Sequence, residues 1–369
     1  MKQKKRVLMV SCGGLGHGGV QSIMMGIVRN LSNQYIFDMM VFTSEKRYYD
    51  DEFLTYGGKI IRIPHYEGYN PFLKKVDMIV RDAYIYPKVC KILRDNQYEV
   101  IHCNKQSESA LLIRAAALYG IPIRICHSHV IENWNNKCLN LLKKRHVACI
   151  NKYATHKIGC SIEACISLYG DFGGFSVVNN FYDDTRFRIP PERNKSQHFV
   201  LTQVGSFSDN KNQLFTVRVF YELSKMLPKS ELWLIGFDLD VSYRQQVHLL
   251  VASLGITENV RFLSGDSDIP QKLSESNFFI MPSKKEGFGI ALIEAQAMNL
   301  CCIASNTIPK VTDCGSVIFK SLSDSPQAWA SEIMQIIRNK NTVVFPDTDK
   351  YKESTVMTIY RQLYEGKNI

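Results

Sequence analysis

Glu286 and Glu294 stand eight positions apart in Ser283-Lys284-Lys285-Glu286-Gly287-Phe288-Gly289-Ile290-Ala291-Leu292-Ile293-Glu294-Ala295. The segment follows an apolar run, Phe278 to Met281, and Gly287 and Gly289 open a helical pattern from Ile290 to Met298. The spacing therefore puts Glu286 in a loop and Glu294 in the helix, from which two carboxylates reach one ligand at different heights. Carboxylates take sugar hydroxyls in charge-assisted hydrogen bonds. The amides of Phe288 to Ile290, at the helix start, have no intrahelical acceptor and favour an anion.

A second glycine-rich loop, Gly13-Gly14-Leu15-Gly16-His17-Gly18-Gly19, follows the apolar run Val7 to Val10 and precedes a helical pattern from Val20 to Leu31. Gly14, Gly16 and Gly19 spell G-x-G-x-x-G, whose bare backbone lets a phosphate or sugar approach closely. A dinucleotide site also wants an acid about 20 residues later, at the end of the second strand. Asp38 opens that strand and Glu45 lies beyond it, so the match is poor and another glycine-loop ligand is expected. A nicotinamide-dependent oxidoreductase built on these glycines stands as the alternative. His127 falls in the strand-end run His127-Ser128-His129, and His102 and His129 read as core histidines. Asp238-Leu239-Asp240 and Asp266-Ser267-Asp268 spell D-x-D, a metal–diphosphate pattern, but both fall in polar turns.

Positioning these residues requires alternating strands and helices. Strands are expected at Val7–Val10, Phe37–Thr43, Lys59–Ile63, Val100–His102 and Ile123–Ser128, with a helix over Ser109–Tyr119. A polar, proline-bearing stretch, Phe181 to Ser196, marks a boundary. Beyond it strands are expected at Phe199–Gly205, Glu231–Ile235, Val260–Leu263, Phe278–Met281 and Cys302–Ala304. Helices are expected at Gln213–Met226, Val241–Leu254, Ile269–Ser274 and Ile290–Met298, with an amphipathic segment at Tyr351–Tyr364. This is an α/β chain of two doubly wound Rossmann-like domains facing across a cleft. The expected domains are residues 1–185, joined by a crossing helix in 346–369, and residues 186–345.

Composition limits the class. The 369 residues, 45% hydrophobic and 22% charged, fill ordinary cores and exclude a disordered or collagen-like chain. Eleven cysteines without framework spacing read as reduced thiols. No run is long and apolar enough for a signal peptide or a membrane span. A cytoplasmic protein, peripheral to a membrane at most, is expected.

The Glu286/Glu294 pair resembles the E-x7-E signature of retaining glycosyltransferases with the GT-B fold, glycosyltransferase family 4. The resemblance extends over nearly the whole chain: Gly18-Gly19-Val20-Gln21, His127-Ser128-His129, Gly205-Ser206-Phe207-Ser208-Asp209-Asn210-Lys211-Asn212, Arg261-Phe262-Leu263-Ser264-Gly265 and the final helix. It is nearest to bacterial enzymes of capsular and exopolysaccharide assembly. The resemblance implies that Lys211, with the helix start at Gly287, Phe288, Gly289 and Ile290, neutralises the donor diphosphate. It assigns Glu294 to the ribose, Glu286 to the transferred sugar and Gly19 to the diphosphate and acceptor. His17 and Gly18 fall on the acceptor side, and His127 at the reacting sugar. Ser206 stands where the family usually has Arg, so one phosphate cation is missing; a non-catalytic sugar- or lipid-binding protein is therefore a further alternative.

The implied reaction moves a sugar from a nucleotide donor, a UDP-sugar, to a lipid-linked or saccharide acceptor, with no cofactor and no metal, since Lys211 and the helix start hold the diphosphate. The chain's charge of +10 is unevenly placed: residues 1–185 carry 24 basic and 16 acidic side chains (+8), the rest 21 and 19 (+2). With Leu139-Asn140-Leu141-Leu142-Lys143-Lys144-Arg145 and Pro71-Phe72-Leu73-Lys74-Lys75, the basic excess suits an anionic membrane surface at the inner face of the cell membrane. Aromatic residues are not interleaved with these clusters, so no nucleic acid is expected.

Overall fold

Val7, Leu8, Met9 and Val10 lose all contact with water, as a strand does when helices cover both faces of its sheet. In the computed structural model, which describes residues 4–64, 74–131, 137–171, 174–191, 198–339 and 346–369, that strand is the centre of the first of two units. The first comprises Met1–Asn180 with Ser354–Ile369, the second Phe181–Glu353.

The first unit runs β1 (Lys5–Val10), α1 (Gly19–Leu31), β2 (Tyr35–Val41), α2 (Asp50–Thr55), β3 (Ile60–Arg62), α3 (Lys74–Asp95) and β4 (Val100–Cys103). It continues α4 (Ser109–Leu118), β5 (Ile123–Ser128), α5 (Lys137–Tyr153), β6 (His156–Gly159), α6 (Ile162–Tyr169) and β7 (Ser176–Val177). Its strands are parallel, in the order β3-β2-β1-β4-β5-β6-β7. Leu8, Val10, Ile101 and Cys103 pack with Ile85, Val89 and Leu93 of α3 and Ile113 of α4.

The second unit runs β8 (Phe199–Val204), α7 (Gln213–Met226), β9 (Ser230–Gly236), α8 (Val241–Ser253), β10 (Val260–Ser264) and α9 (Ile269–Glu275). Then follow β11 (Phe278–Met281), α10 (Ile290–Ala297), β12 (Cys301–Ser305), β13 (Val317–Lys320) and α11 (Pro326–Arg338). Its parallel sheet is ordered β10-β9-β8-β11-β12-β13. Trp329 of α11 is fully buried, meets Phe215 of α7 edge-on at 5.2 Å and donates its indole N–H to the Ser321 carbonyl at 3.0 Å.

The last helix, α12 (Glu353–Tyr364), returns to the first unit. Val356, Met357, Tyr360, Leu363 and Tyr364 are its buried stripe, at helical spacing. Glu365 just beyond it accepts from Lys5 Nζ and the Tyr35 hydroxyl, both at 2.9 Å.

The structure adds elements that the sequence pattern does not announce. α3 contains Pro87, and β6 and β7 are short and partly polar. β2 begins and ends two residues earlier than the apolar run suggests, because Tyr35 pairs in register with Lys5. Pro71 to Leu73 and Glu192 to Lys195 lie outside the described residues, as do the side chains of Lys74, Lys75, Leu139, Asn140 and Leu142. Among the described residues no helix is long and apolar enough to cross a membrane, and no disulfide joins the ten described cysteines.

Candidate functional site

Strand order in the second unit reverses between β8 and β11, so the loops leaving those two strands lie side by side. Ligands of doubly wound sheets sit at such a reversal. The loop after β8, Gly205 to Asn212, is tied to the loop after β11 at three points. Asn210 donates to the Lys285 carbonyl at 2.9 Å and accepts from the Lys284 amide at 2.8 Å, and Asn212 donates to the Pro282 carbonyl at 3.2 Å. Asn212 adopts a left-handed φ of 57°, which turns the chain from the loop into α7. Gly236, the last residue of β9, closes the loop from the other side: a Cβ there would collide with the Gly205 carbonyl oxygen.

This fixed pair of loops brings Lys211 Nζ within 2.7 Å of Glu286 Oε1. Both side chains keep some contact with water, at 24% and 13% of their surface. The pair is therefore poised to exchange partners, Lys211 for an anion and Glu286 for hydroxyl groups. Gly287, Phe288, Gly289 and Ile290 follow directly. Gly289 caps α10 with φ 105°, a conformation that favours glycine, and Phe288 is buried edge-on against Tyr351 at 5.5 Å. Ser206 is part-exposed, and its carbonyl accepts from Gln213 Nε2 at 3.0 Å. Lys284, another cation of the same loop, is engaged with Asp209 at 2.6 Å.

Glu294 sits on α10 with only part of its surface in water. Burial pushes its carboxyl up to about 7, Arg186 opposing and Asp183 adding to the shift. Arg186 and Asp183 belong to the stretch that the sequence marks only as a boundary, so their place beside Glu294 was not legible. The two D-x-D motifs have local duties. Asp240 caps α8 through the Tyr243 amide, Asp268 caps α9 through the Gln271 amide, and Asp238 pairs with Arg244 at 2.7 Å.

In the first unit the glycine loop connects β1 to α1. Gly18 is the N-cap of α1 and Gly19 its first residue. His17 is exposed and meets the Tyr48 ring at a tilt of 38°, with centroids 3.6 Å apart. Asp38 does not serve a ribose: it is buried in β2 and bound by Arg6, the Tyr98 hydroxyl and the Lys59 amide. His127, at the end of β5, is fully buried and lies between two more imidazoles, His102 on β4 and His129. Burial, reinforced by the neighbouring histidines, holds the His127 pKa well below its usual value, so the ring is neutral.

Residues 184–353 match the family model described as Glycosyl transferases group 1. The match spans nearly the whole of the second unit. The matched segment holds Ser206, Lys211, Glu286, Gly287 to Ile290 and Glu294, whereas His17, Gly18, Gly19 and His127 belong to the first unit. The chain is 27% identical over 260 residues to the UDP-Gal:alpha-D-GlcNAc-diphosphoundecaprenol alpha-1,3-galactosyltransferase of Escherichia coli, covering 64% of this chain and 65% of that protein. It is 22% identical to the capsular polysaccharide biosynthesis glycosyltransferase CapH of Staphylococcus aureus, over 96% of this chain and 97% of CapH. Its fold is that of HepE from Anabaena, crystallised in complex with UDP: TM-score 0.77 at 16% identity, covering 98% of this chain and 99% of that one.

Proposed function

We propose that the protein is a retaining glycosyltransferase of family 4 that moves a sugar from a UDP-sugar to a lipid-linked or saccharide acceptor in cell-surface polysaccharide assembly. The observation that carries this reading is the Lys211–Glu286 pair at the strand-order reversal of the second unit. Departure of a nucleoside diphosphate develops negative charge, and a fixed cation beside a helix start stabilises that charge more in the transition state than before it. Lys211 and the amides from Gly287 to Ile290 take the diphosphate in place of a metal ion, Glu286 the hydroxyls of the transferred sugar and Glu294 the ribose. Ser206 contributes no charge, so Lys211 carries the leaving group with the amides. Gly19 and Gly18 leave room for diphosphate and acceptor, His17 faces the acceptor, and His127 positions and polarises the sugar. The kinship with an enzyme named for a diphosphoundecaprenol acceptor supports a lipid-linked acceptor. The +8 of residues 1–185 supports an anionic membrane surface as its setting.

A panel of nucleotide sugars with membrane extract as acceptor, read by mass, tests the activity. Transfer that persists in EDTA supports metal independence, and an axial-to-axial product by NMR supports retention. Full activity in Glu286→Ala and Lys211→Ala would remove the site assignment.

A further inference from the structure

His127 ends a hydrogen-bonded chain that begins on the last helix. The Tyr364 hydroxyl lies 3.0 Å from His102 Nδ1, and His102 Nε2 lies 3.2 Å from His127 Nδ1. All three side chains are fully buried, and burial lowers the His102 pKa to about 3. The chain therefore consists of neutral groups whose protons can run in one of two directions.

The count of buried atoms left without a partner separates the two. Among the described residues the Tyr364 hydroxyl has no hydrogen-bond partner other than His102. If Tyr364 donates to His102 Nδ1, His102 carries its proton on Nε2 and donates to His127 Nδ1. His127 then carries its own proton on Nε2. In the reverse direction His102 would donate to Tyr364, leaving two buried atoms without a partner, the hydroxyl proton and the bare His127 Nε2, whereas the first direction leaves only the His127 Nε2–H. An unmade buried hydrogen bond costs more than a made one returns, so the first direction prevails. His129 does not compete for the chain. Asn104 spends its amide protons on the Val10 and His102 carbonyls, so its Oδ1 accepts from His129 Nε2 at 2.8 Å. The far atom, His127 Nε2, is buried and has no partner among the described residues.

We propose that Tyr364 and His102 are positioning residues that hold His127 as its Nε2–H tautomer, so that His127 presents a hydrogen-bond donor, not a base, to its ligand. The ligand group it suits is an acceptor oxygen, as on a sugar hydroxyl. The link to sugar transfer rests on the proposed function, whereas the tautomer itself does not.

Nitrogen-15 chemical shifts of the histidines in the unliganded protein test the tautomer directly. A protonated Nε2 on His127 is expected, and a protonated Nδ1 would overturn the proposal whether or not the protein transfers sugar. Tyr364→Phe keeps the ring and removes the donor, and should shift His127 toward the Nδ1–H form. With a UDP-sugar that the protein turns over, its kcat should fall by about five- to tenfold, as expected of one misdirected hydrogen bond, with KM for the donor little changed. His102→Gln offers an amide oxygen to Tyr364 and an amide N–H to His127, and should retain both tautomer and rate. His102→Leu should lose both while melting as a folded protein. A Gln variant that melts normally yet shows the Leu variant's tautomer would overturn the relay. A wild type with the expected tautomer but no transfer to any acceptor would leave the relay standing and remove the functional reading.

Discussion

The two units share a strand–helix repeat and a reversal of strand order, but they furnish their strand ends with opposite electrostatics. The second unit places a charged pair, Lys211 with Glu286, where water still reaches it. The first places neutral imidazoles where water does not. A charged pair in contact with solvent keeps its ions and can trade them for a charged ligand. A dry cluster cannot hold charge and can offer only oriented dipoles. One chain thus separates the handling of charge from the handling of direction.

The largest test of that contrast is to remove one charge from the second unit. Lys211→Ala should lower kcat by about 10² to 10³, the usual effect of deleting a group that stabilises transition-state charge. His127→Ala should cost about 10 to 10², because a positioning donor does less than a cation opposite a leaving diphosphate. Equal losses in a transfer assay would erase the distinction.

Stability against pH sharpens it further, because the units lean opposite ways. Glu294 has its pKa raised from 4.5 to about 7, so the folded state retains a proton that the unfolded chain has already lost. That contribution is present below pH 4.5 and disappears as pH rises through 7. The histidines run the other way. His102 and His129 fall from 6.5 to about 3, so they add stability above pH 6.5 that is lost as pH falls toward 3. Glu294→Gln should remove the alkaline loss, about 1–3 kcal/mol, in denaturant titrations at pH 5 and pH 8. A pH profile unchanged by that substitution would show that Glu294 is not buried in solution.

The smallest expected effect concerns the aspartates. Asp268→Ala should lower stability by about 1 kcal/mol through loss of the α9 cap, and leave donor binding unchanged. A loss of UDP binding in that variant would return the D-x-D segment to the site.

Most of the second unit was legible in the sequence because its chemistry is local. Glu286, Gly287, Phe288, Gly289 and Glu294 are close in sequence, and Lys211 follows a strand that apolar residues announce. The first unit was less so. The helices α3 and α5 carry too much charge and, in α3, a proline for periodicity to reveal them. His102 and Tyr364 are 262 positions apart, and nothing in either local pattern marks a partner. Arg186 falls in the stretch that the sequence marks as a domain boundary, because its place near Glu294 depends on tertiary structure. Spacing exposes groups that share a loop, whereas a relay assembled across a sheet has no spacing to read.

The return of α12 to the first unit has a consequence for folding order. During synthesis from the N-terminus, all seven strands of the first sheet emerge before the second unit, and the second unit before the helix that completes the first. A nascent first unit therefore exposes the surface that Tyr360, Leu363 and Tyr364 later cover. His127 gains its hydrogen-bonded support only once the C-terminal turn docks. The last helix serves as a latch, and the buried histidines of the first sheet wait for α12 before they are held.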